Sequence, residues 1–209
     1  MSIHESAAAP IEPLLEFGVS HYRFSVDQYH QMIAAGILTE NDRVQLLEGE
    51  IVLMTPIGPP HRYAVHVCAK ALGKLLPPAW ELMIQQPITL ANSEPEPDLS
   101  VVRSEAALAL DRHPSAADTA IIIEVADSSL PLDRNRKQAI YAAAGIPEYW
   151  IVNLAQRSIE VYREPAPAAA GGRATYSVRH EFRDADSVPV CIAGQEIGKI
   201  AVAEIVPKA

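Results

Sequence analysis

The stretch that most constrains the fold is "AIIIEVADSS", residues 120–129. The isoleucines at 121–123 form a run too short for a helix and rich in β-branched side chains, which is typical of a strand buried on both faces. The run ends in Glu124, and Asp127 follows shortly after. Burying a carboxylate is costly unless a positive charge compensates it. The sequence therefore predicts a dry strand whose final acid meets either solvent or a cation.

The length, composition and net charge of the chain limit the classes of protein to which it can belong. A chain of 209 residues is expected to form one domain, here residues 21–209, preceded by a flexible arm at residues 1–20 that is rich in Ala, Pro and Glu. We find no apolar run long enough to cross a membrane and no secretory signal, so we expect a cytoplasmic protein with no membrane partner. The net charge of −9 counts against extended, sequence-independent binding of nucleic acid, although it leaves room for a local basic cleft.

Periodicity and turn residues predict an α/β fold with a mixed central sheet flanked by helices. A helix is expected from Ser25, with a capping box to Gln28, and a tight hairpin is expected around Glu48-Gly49. A second helix should run from His61 to Leu76. The remaining predicted elements are strands at 80–90, 98–103 and 119–126, a helix at 132–144, a hairpin joining "EYWIVNL" to "SIEVYRE", and a strand at "TYSVRHEF".

Three acids stand at the edges of apolar segments. Glu48 ends "VQLL", Asp98 begins "LSVV", and Glu124 ends "AIII". Strand ends are where an α/β sheet presents side chains to a cleft. Carboxylates that converge there form a hard, oxygen-rich site suited to Mg²⁺ or Mn²⁺. The alternative is that each acid is a turn or cap residue that meets solvent.

A lysine and a histidine add to this set. Asp133, Lys137 and Tyr141 are spaced i, i+4 along one helix face. This spacing fits an ordinary helix ion pair, and it also fits a lysine placed over the end of the strand that carries Glu124, facing a phosphate. His61 stands at a predicted helix start, where it is either a structural residue or part of the site. The sequence contains no nucleotide-binding glycine loop and no HExxH motif.

Together these stretches resemble a known family, the Uma-type putative restriction endonucleases of the PD-(D/E)XK nuclease superfamily. The resemblance runs from Tyr22 to Val206. It rests on "VQLLEGEIVLM", "PIGPPHRYAVHV", "PDLSVV", "IIIEVADSS", "DRNRKQAIYAAAGIPEYWIVN" and "IEVYR". It implies a restriction-endonuclease-like core, a mixed sheet flanked by helices with acids at the strand ends.

The resemblance also implies roles for single residues. Asp98, after Pro97, matches the first acid of the motif, and Glu124 matches the second. Glu48 matches the acid before the hairpin glycine, and His61 the histidine that opens the next helix. The chain departs from the motif two residues after Glu124, where alanine stands in place of lysine; Lys137 on the following helix is the matching position.

The activity implied by the resemblance is Mg²⁺- or Mn²⁺-dependent hydrolysis of DNA phosphodiester bonds. Asp98, Glu124 and the Val125 carbonyl would hold the metal ion, and Lys137 would orient water or neutralise the transition state. Two alternatives stay open: a catalytically lapsed nuclease-fold module that binds DNA or protein, and a hydrolase of small phosphoesters. The displaced lysine and the net charge of −9 favour the lapsed module.

We also expect a homodimer, because cleavage of a duplex has to address two strands and a two-fold dimer supplies one site for each. The apolar hairpin formed by "EYWIVNL" and "SIEVYRE" is the predicted interface.

Overall fold

The computed structural model describes residues 15–16 and 19–206, so most of the predicted arm at residues 1–20 lies outside the described residues. Two small antiparallel hairpins and two helices come before the main sheet. In chain order these elements are β1 (Leu15–Glu16), β2 (Val19–Ser20), α1 (Val26–Ala34), β3 (Val44–Leu47), β4 (Glu50–Leu53) and α2 (Pro59–Gly73).

The central sheet has six strands in the order β10-β9-β8-β7-β6-β5. Only the pair β7–β8 is parallel, so the sheet is mixed and the predicted fold class is confirmed. The strands are β5 (Trp80–Ile84), β6 (Leu99–Arg103), β7 (Thr119–Ala126), β8 (Glu148–Asn153), β9 (Ser158–Ala166) and β10 (Thr175–Arg183). All eight residues of β7 are buried, as the isoleucine run predicts.

Helical segments connect these strands and cover the sheet. A short helix α3 (Ser104–Ala107) and a 3₁₀ turn (Ala116–Asp118) lie between β6 and β7. Between β7 and β8 one continuous helical segment contains α4 (Leu130–Leu132), a π-helical turn (Asp133–Lys137) and α5 (Gln138–Ala143). The chain continues through the hairpin β11 (Ser187–Ile192) and β12 (Gln195–Ala201) to α6 (Val202–Ile205). No helix in the described part of the chain is long and apolar enough to span a membrane.

Local signals explain where several elements begin and end. The predicted capping box of α1 is present, with reciprocal hydrogen bonds between Ser25 and Gln28. The helix α2 begins two residues before the predicted His61, because proline suits the first positions of a helix. The strand β5 ends at Ile84, well short of the predicted residue 90. It ends there because the next residue, Gln85, adopts a left-handed φ of +50°.

The hairpin β3–β4 turns at Glu48 and Gly49, as predicted. Both residues have positive φ, +49° and +79°, the backbone of a tight two-residue turn. Glycine is required at the second position because a Cβ there would lie 2.7 Å from the Cβ of Arg23. The turn therefore fixes the direction in which the Glu48 side chain leaves the hairpin.

The strand β7 separates two cores because its side chains alternate between the two faces of the sheet. Ile121, Ile123 and Val125 pack with α2, β11–β12 and α6, whereas Ile122 and Ala126 pack beneath α5. Glu124 alternates with the second set and hence faces the helical segment. That segment is the one that carries the predicted Lys137.

The predicted dimer interface is wrong in its location. The strand β8 lies between β7 and β9, and β9 lies between β8 and β10, so the hairpin has no free edge. All six residues of β8 are buried within the chain. The apolar character of "EYWIVNL" reflects a central strand of the sheet, and the edges of the sheet are β5 and β10.

Candidate active site: an acidic cleft at the end of β6 and β7

The start of β6 and the end of β7 lie at the same end of the sheet because the two strands are antiparallel. Leu99 pairs with Ile123, so Asp98 lies opposite Glu124 one residue further along the ladder. A small cleft with a cavity of about 60 Å³ opens there. Its polar wall is formed by His61, Gln85, Glu96, Asp98, Glu124, Ser129, Asp133 and Lys137, together with Arg43, just before β3, and Gln45 on β3.

Asp98 is held in place by groups from three different parts of the chain. Its Oδ2 accepts the Val125 N–H at 2.8 Å and lies 3.0 Å from His61 Nε2, while Gln85 Nε2 lies 3.5 Å from Oδ1. The N–H and C=O of a residue in a strand point to the same side, so the Val125 carbonyl also faces the Asp98 side of β7. Asp98 and Val125 therefore present oxygen atoms to the same edge.

Glu124 is oriented through one of its two oxygens. Lys137 Nζ and the Tyr141 hydroxyl both donate to Oε1 at 2.8 Å. The carboxylate is only 4% exposed, and among the described residues no hydrogen-bond donor reaches Oε2. Glu124 thus enters the cleft with one oxygen fixed and the other free of protein donors.

The π-helical turn Asp133–Lys137 brings a further acid, Asp133, and the lysine into the cleft. Lys137 Nζ lies 4.0 Å from Asp133 Oδ1, and the Ser129 hydroxyl donates to Asp133 Oδ2 at 2.6 Å. Turns of this wide type are rare and occur mainly at functional sites. Here the turn carries Lys137 down to Glu124 from above the sheet, so the helix supplies the ammonium that β7 lacks at Ala126.

Burial and like charges shape the ionisation of the cleft. Burial raises the pKa of Glu124 to about 7, with Asp133 and Asp98 adding to the rise and Lys137 opposing it. Burial also raises the pKa of Asp133. For Lys137, burial acts to lower the pKa, but Glu124 and Asp133 outweigh it and the net direction is upward. The lysine therefore stays protonated, and a single buried cation faces three acids.

His61 closes one side of the cleft. Burial acts to lower its pKa, but the hydrogen bond to Asp98 and the charges of Asp98, Glu124 and Asp127 raise it overall. Its Nδ1 is buried and meets no hydrogen-bond partner in the described part of the chain. His61 thus holds Asp98 through Nε2.

The donor set fits a cation that takes few protein ligands. No group of three or more His, Cys, Asp or Glu side chains among the described residues is arranged to hold a metal ion. The cleft offers two carboxylates and one carbonyl, from Asp98, Glu124 and Val125. Mg²⁺ commonly binds through one or two carboxylates and completes its shell with water and substrate phosphate. The excess of acids over cations in the cleft favours such an ion.

Five of the six residues singled out from the sequence come together here: His61, Asp98, Glu124, Val125 and Lys137. Glu48 does not, and its predicted place in this cleft is wrong. It accepts hydrogen bonds from Arg136 at 3.1 Å and Arg173 at 2.6 Å, beside another cavity. On β3 it is Gln45 that faces the cleft, and Glu48, three residues on and within the turn, points elsewhere.

The sequence interpretation missed several cleft residues, among them Gln45, Gln85 and Glu96. A signal existed for Gln45, which is the only polar side chain in "VQLL" and is nevertheless 4% exposed. A polar residue inside an apolar strand indicates a buried partner or a site. Gln85 and Glu96 come from the irregular segment between β5 and β6, where no periodicity predicts a direction.

The site is a pair of carboxylates at the end of the central strands of a mixed sheet, with a lysine brought to them by the adjoining helical segment. One similar solved structure is titled as a putative nuclease belonging to DUF820 from Anabaena variabilis ATCC 29413. It matches with a TM-score of 0.63 at 14% identity, over 87% of this chain and 97% of that chain. The likeness shows the shared fold.

The family model described as "Uma2: Putative restriction endonuclease" matches residues 26–197. The match covers most of the chain, which belongs to this family. No curated protein matches the chain. Family membership confirms the resemblance drawn from the sequence motifs, and the fold confirms the restriction-endonuclease-like core.

Proposed function

We propose that this protein is a metal-dependent nuclease that hydrolyses DNA phosphodiester bonds in the cleft at the end of β6 and β7. The observation that carries the proposal is the convergence of Asp98, Glu124 and Lys137 from three separate elements. An ordinary solvent-facing acid would not be buried at 4% exposure with a lysine aimed at it. Membership in a family described as restriction endonucleases supports the same chemistry.

Asp98 and Glu124, with the Val125 carbonyl, would hold Mg²⁺ or Mn²⁺. The chemistry that such an ion supplies is activation of water and stabilisation of negative charge on a phosphate. His61 keeps Asp98 in place, and Tyr141 keeps Glu124 in place, through hydrogen bonds of 3.0 and 2.8 Å. The rigid end of β7 thus fixes the ligand geometry before substrate arrives.

Lys137 would act on the phosphate rather than as a base. Its pKa is raised by Glu124 and Asp133 against the effect of burial, so the ammonium keeps its proton. A positive charge beside the scissile phosphate neutralises charge that develops in the transition state, and its protons can orient the attacking water. The helical segment thus supplies the positive charge that a lysine on β7 would supply, because Ala126 occupies that position on the strand.

The substrate implied by this activity is DNA. We also expect the protein to form a homodimer. Cleavage of both strands of a duplex would then use one cleft from each copy. Because the β8–β9 hairpin is internal, the dimer would have to use another surface. Light scattering at micromolar concentration checks this expectation, and a monomer would remove the dimer without affecting the cleft.

The second candidate is a lapsed nuclease-fold module that binds DNA or protein. Two observations favour it: the net charge of −9 and the absence of lysine from β7 at Ala126. The two candidates differ in their response to metal ions. If the protein, with both acids intact, does not bind Mg²⁺ or Mn²⁺ at millimolar concentration, the lapsed module is the better description and the nuclease proposal is rejected.

The test is cleavage of supercoiled plasmid and of circular single-stranded DNA with Mg²⁺ or Mn²⁺. Wild type should cleave at least one of the substrates, and Asp98→Asn should not. Glu160→Gln, a buried glutamate on β9 outside the cleft, is the matched control and should cleave like wild type. Equal cleavage by wild type and Asp98→Asn would assign the activity to a contaminant or to another site, and would reject the proposal.

A further inference from the structure

A second cavity of about 600 Å³ opens beside the cleft. We call it the side groove. It is continuous with the cleft, since five residues line both cavities: Arg43, Gln45, Met54, Gln85 and Glu96. Further from the cleft its walls are apolar, formed by Ile33, Ile84 and Pro87, and it is closed by Tyr29 and Glu94. A substrate held in the cleft would therefore extend directly into this groove.

Gln45 supplies the first indication that the groove takes a ligand. It is only 4% exposed, and its Oε1 accepts the Glu96 N–H at 3.3 Å. Among the described residues its Nε2 meets no acceptor, although the side chain lines both cavities. The rest of the side chain is buried, and this nitrogen opens onto the cavities, so the one donor that the protein leaves unpaired is presented to a molecule that enters the groove.

The floor of the groove is acidic. Glu94 is 4% exposed, and its Oε2 is bound by His30 and Thr89 at 2.7 Å each. Glu96 is half-buried on the shared wall, and Glu40 lies at the rim. These carboxylates repel a phosphate and accept hydrogen bonds from amino groups. The groove is therefore unsuited to the sugar–phosphate backbone and suited to the edge of a base that carries an amino group.

Arg43 stands where the side groove joins the cleft. It is exposed, and in the described part of the chain its guanidinium has no ion-pair partner. Arg43 and Gln85, which both line the junction, have left-handed φ values of +47° and +50°. An exposed arginine there, next to Glu96, can hold the phosphate between a nucleotide in the cleft and the next nucleotide.

We propose that the side groove binds one unstacked nucleobase with an exocyclic amino group, next to the phosphate in the cleft. This inference rests on the proposed nuclease function and specifies its substrate. A paired duplex shows its bases only as stacked edges, whereas a walled cavity of this size admits one base taken out of the stack. Single strands and unpaired loops are therefore the preferred substrates, with cytosine, adenine or guanine beside the cleaved bond rather than thymine.

The test compares single strands of oligo(dC), oligo(dA) and oligo(dT) with a paired duplex of mixed sequence. We expect kcat/KM on oligo(dC) and oligo(dA) to exceed that on oligo(dT) and on the duplex by about ten-fold or more. Ile33→Trp fills the groove and should lower kcat/KM on oligo(dC) by about ten-fold or more. Ile37→Trp, an exposed apolar residue outside the groove, is the control and should keep wild-type activity.

Two further measurements separate this inference from the proposed function. Hydrolysis of bis(p-nitrophenyl) phosphate needs only the cleft, so its absence in wild type would count against the nuclease itself. Calorimetric titration with deoxycytidine and thymidine 5′-monophosphates tests the groove even in an inactive protein. Wild type should bind the cytidine nucleotide more tightly, and Ile33→Trp should lose this preference. Equal cleavage of oligo(dC) and oligo(dT), or equal affinity for the two nucleotides, would overturn the side-groove proposal.

Discussion

Two glutamates in one row across the central sheet have pKa values that are shifted in opposite directions. Glu124 on β7 pairs with Ile151 on β8, and Ile151 pairs with Glu160 on β9. The two side chains therefore share a face of the sheet, and their Cα atoms lie about 10 Å apart, two strand spacings. Both are buried, at 4% and 0% exposure. Even their cations come from the same π-helical turn, which directs Lys137 to Glu124 and Arg134 to Glu160.

The difference lies in how completely each carboxylate is satisfied. For Glu160, burial acts to raise the pKa, but Arg134, Tyr162 and Arg179 outweigh it and bring the pKa down to about 2. Donors reach both of its oxygens. Glu124 has donors on one oxygen and acids as neighbours, and its pKa rises to about 7. The first carboxylate is a structural ion-pair partner, whereas the second has one oxygen without a protein donor, and we propose that a divalent cation binds there.

The largest expected effect is the loss of cleavage activity on substitution of Glu124, compared with the same substitution of Glu160. Glu124→Gln keeps the size of the side chain but removes the charge that would hold a divalent cation. We expect it to lower metal-dependent cleavage by about 10³-fold, since several kcal/mol of charge stabilisation depend on the ion. Glu160→Gln should retain wild-type rates. Cleavage of single-stranded DNA with Mn²⁺ measures both, and comparable losses in the two variants would remove the distinction.

The two cations of the π-helical turn should differ in the same way. Lys137→Met removes the ammonium from the cleft, and we expect cleavage to fall by about 10²-fold. Arg134→Met removes one of the two arginines on Glu160 and should leave the cleavage rate unchanged while lowering the melting temperature. If Lys137→Met cleaves DNA normally, Lys137 is only the ion-pair partner of Glu124 and Asp133.

The pKa values predict opposite pH dependences of stability in the metal-free protein. The pKa of Glu160 is lowered on folding, so its contribution is present above pH 4.5 and is lost as the pH falls toward 2. We expect this contribution to be about 2 kcal/mol, because Arg134 and Arg179 are partly exposed and screened. The pKa of Glu124 is raised on folding, so its ionisation lowers stability as the pH rises from 4.5 to 7.

Urea unfolding between pH 2 and 8 in the presence of EDTA measures these contributions. Glu160→Gln should remove part of the acid-side loss and lower stability at pH 7. Glu124→Gln should remove the decline above pH 4.5, and at pH 7 it should unfold at the same or a higher urea concentration than wild type. A clear destabilisation of Glu124→Gln at pH 7 would show that Glu124 is a structural acid like Glu160.

The smallest effect concerns Glu48, which lies outside the cleft. Its carboxylate is partly exposed and links the β3–β4 turn to Arg136 and Arg173. Exposed pairs of this kind contribute about 1 kcal/mol or less. Glu48→Gln should therefore change cleavage by no more than about two-fold and lower the melting temperature slightly. A loss as large as that of Glu124→Gln would return Glu48 to the catalytic set.

The parts of the site that the sequence predicted are those fixed by regular structure. A run of isoleucines predicts a buried strand, and Glu124, the acid that follows the run, could be placed near the end of β7. Asp98 followed from the same rule on β6. The role of the Val125 carbonyl followed from the family resemblance. Lys137 followed from its position in the family motif, although the π-helical turn that delivers it leaves no clear sequence signal.

The parts that could not be predicted depend on the arrangement of irregular segments. The direction of Glu48 is set by a turn whose two residues have positive φ. The β8–β9 hairpin has the composition of an exposed apolar surface, and only the strand order shows that β7 and β10 pair with its two strands. The side groove draws its walls from α1, β3 and the segment between β5 and β6, and only the tertiary structure brings these together.

The central claim is that Glu124 and Asp98 form a cation site while Glu160 does not. Anomalous scattering from Mn²⁺ in crystals equilibrated at millimolar concentration tests it most directly. We expect one strong peak in contact with the carboxylates of Asp98 and Glu124 and with the Val125 carbonyl, and no peak at Glu160. The absence of a peak in the cleft, with Glu124 still bound only to Lys137 and Tyr141, would contradict the account.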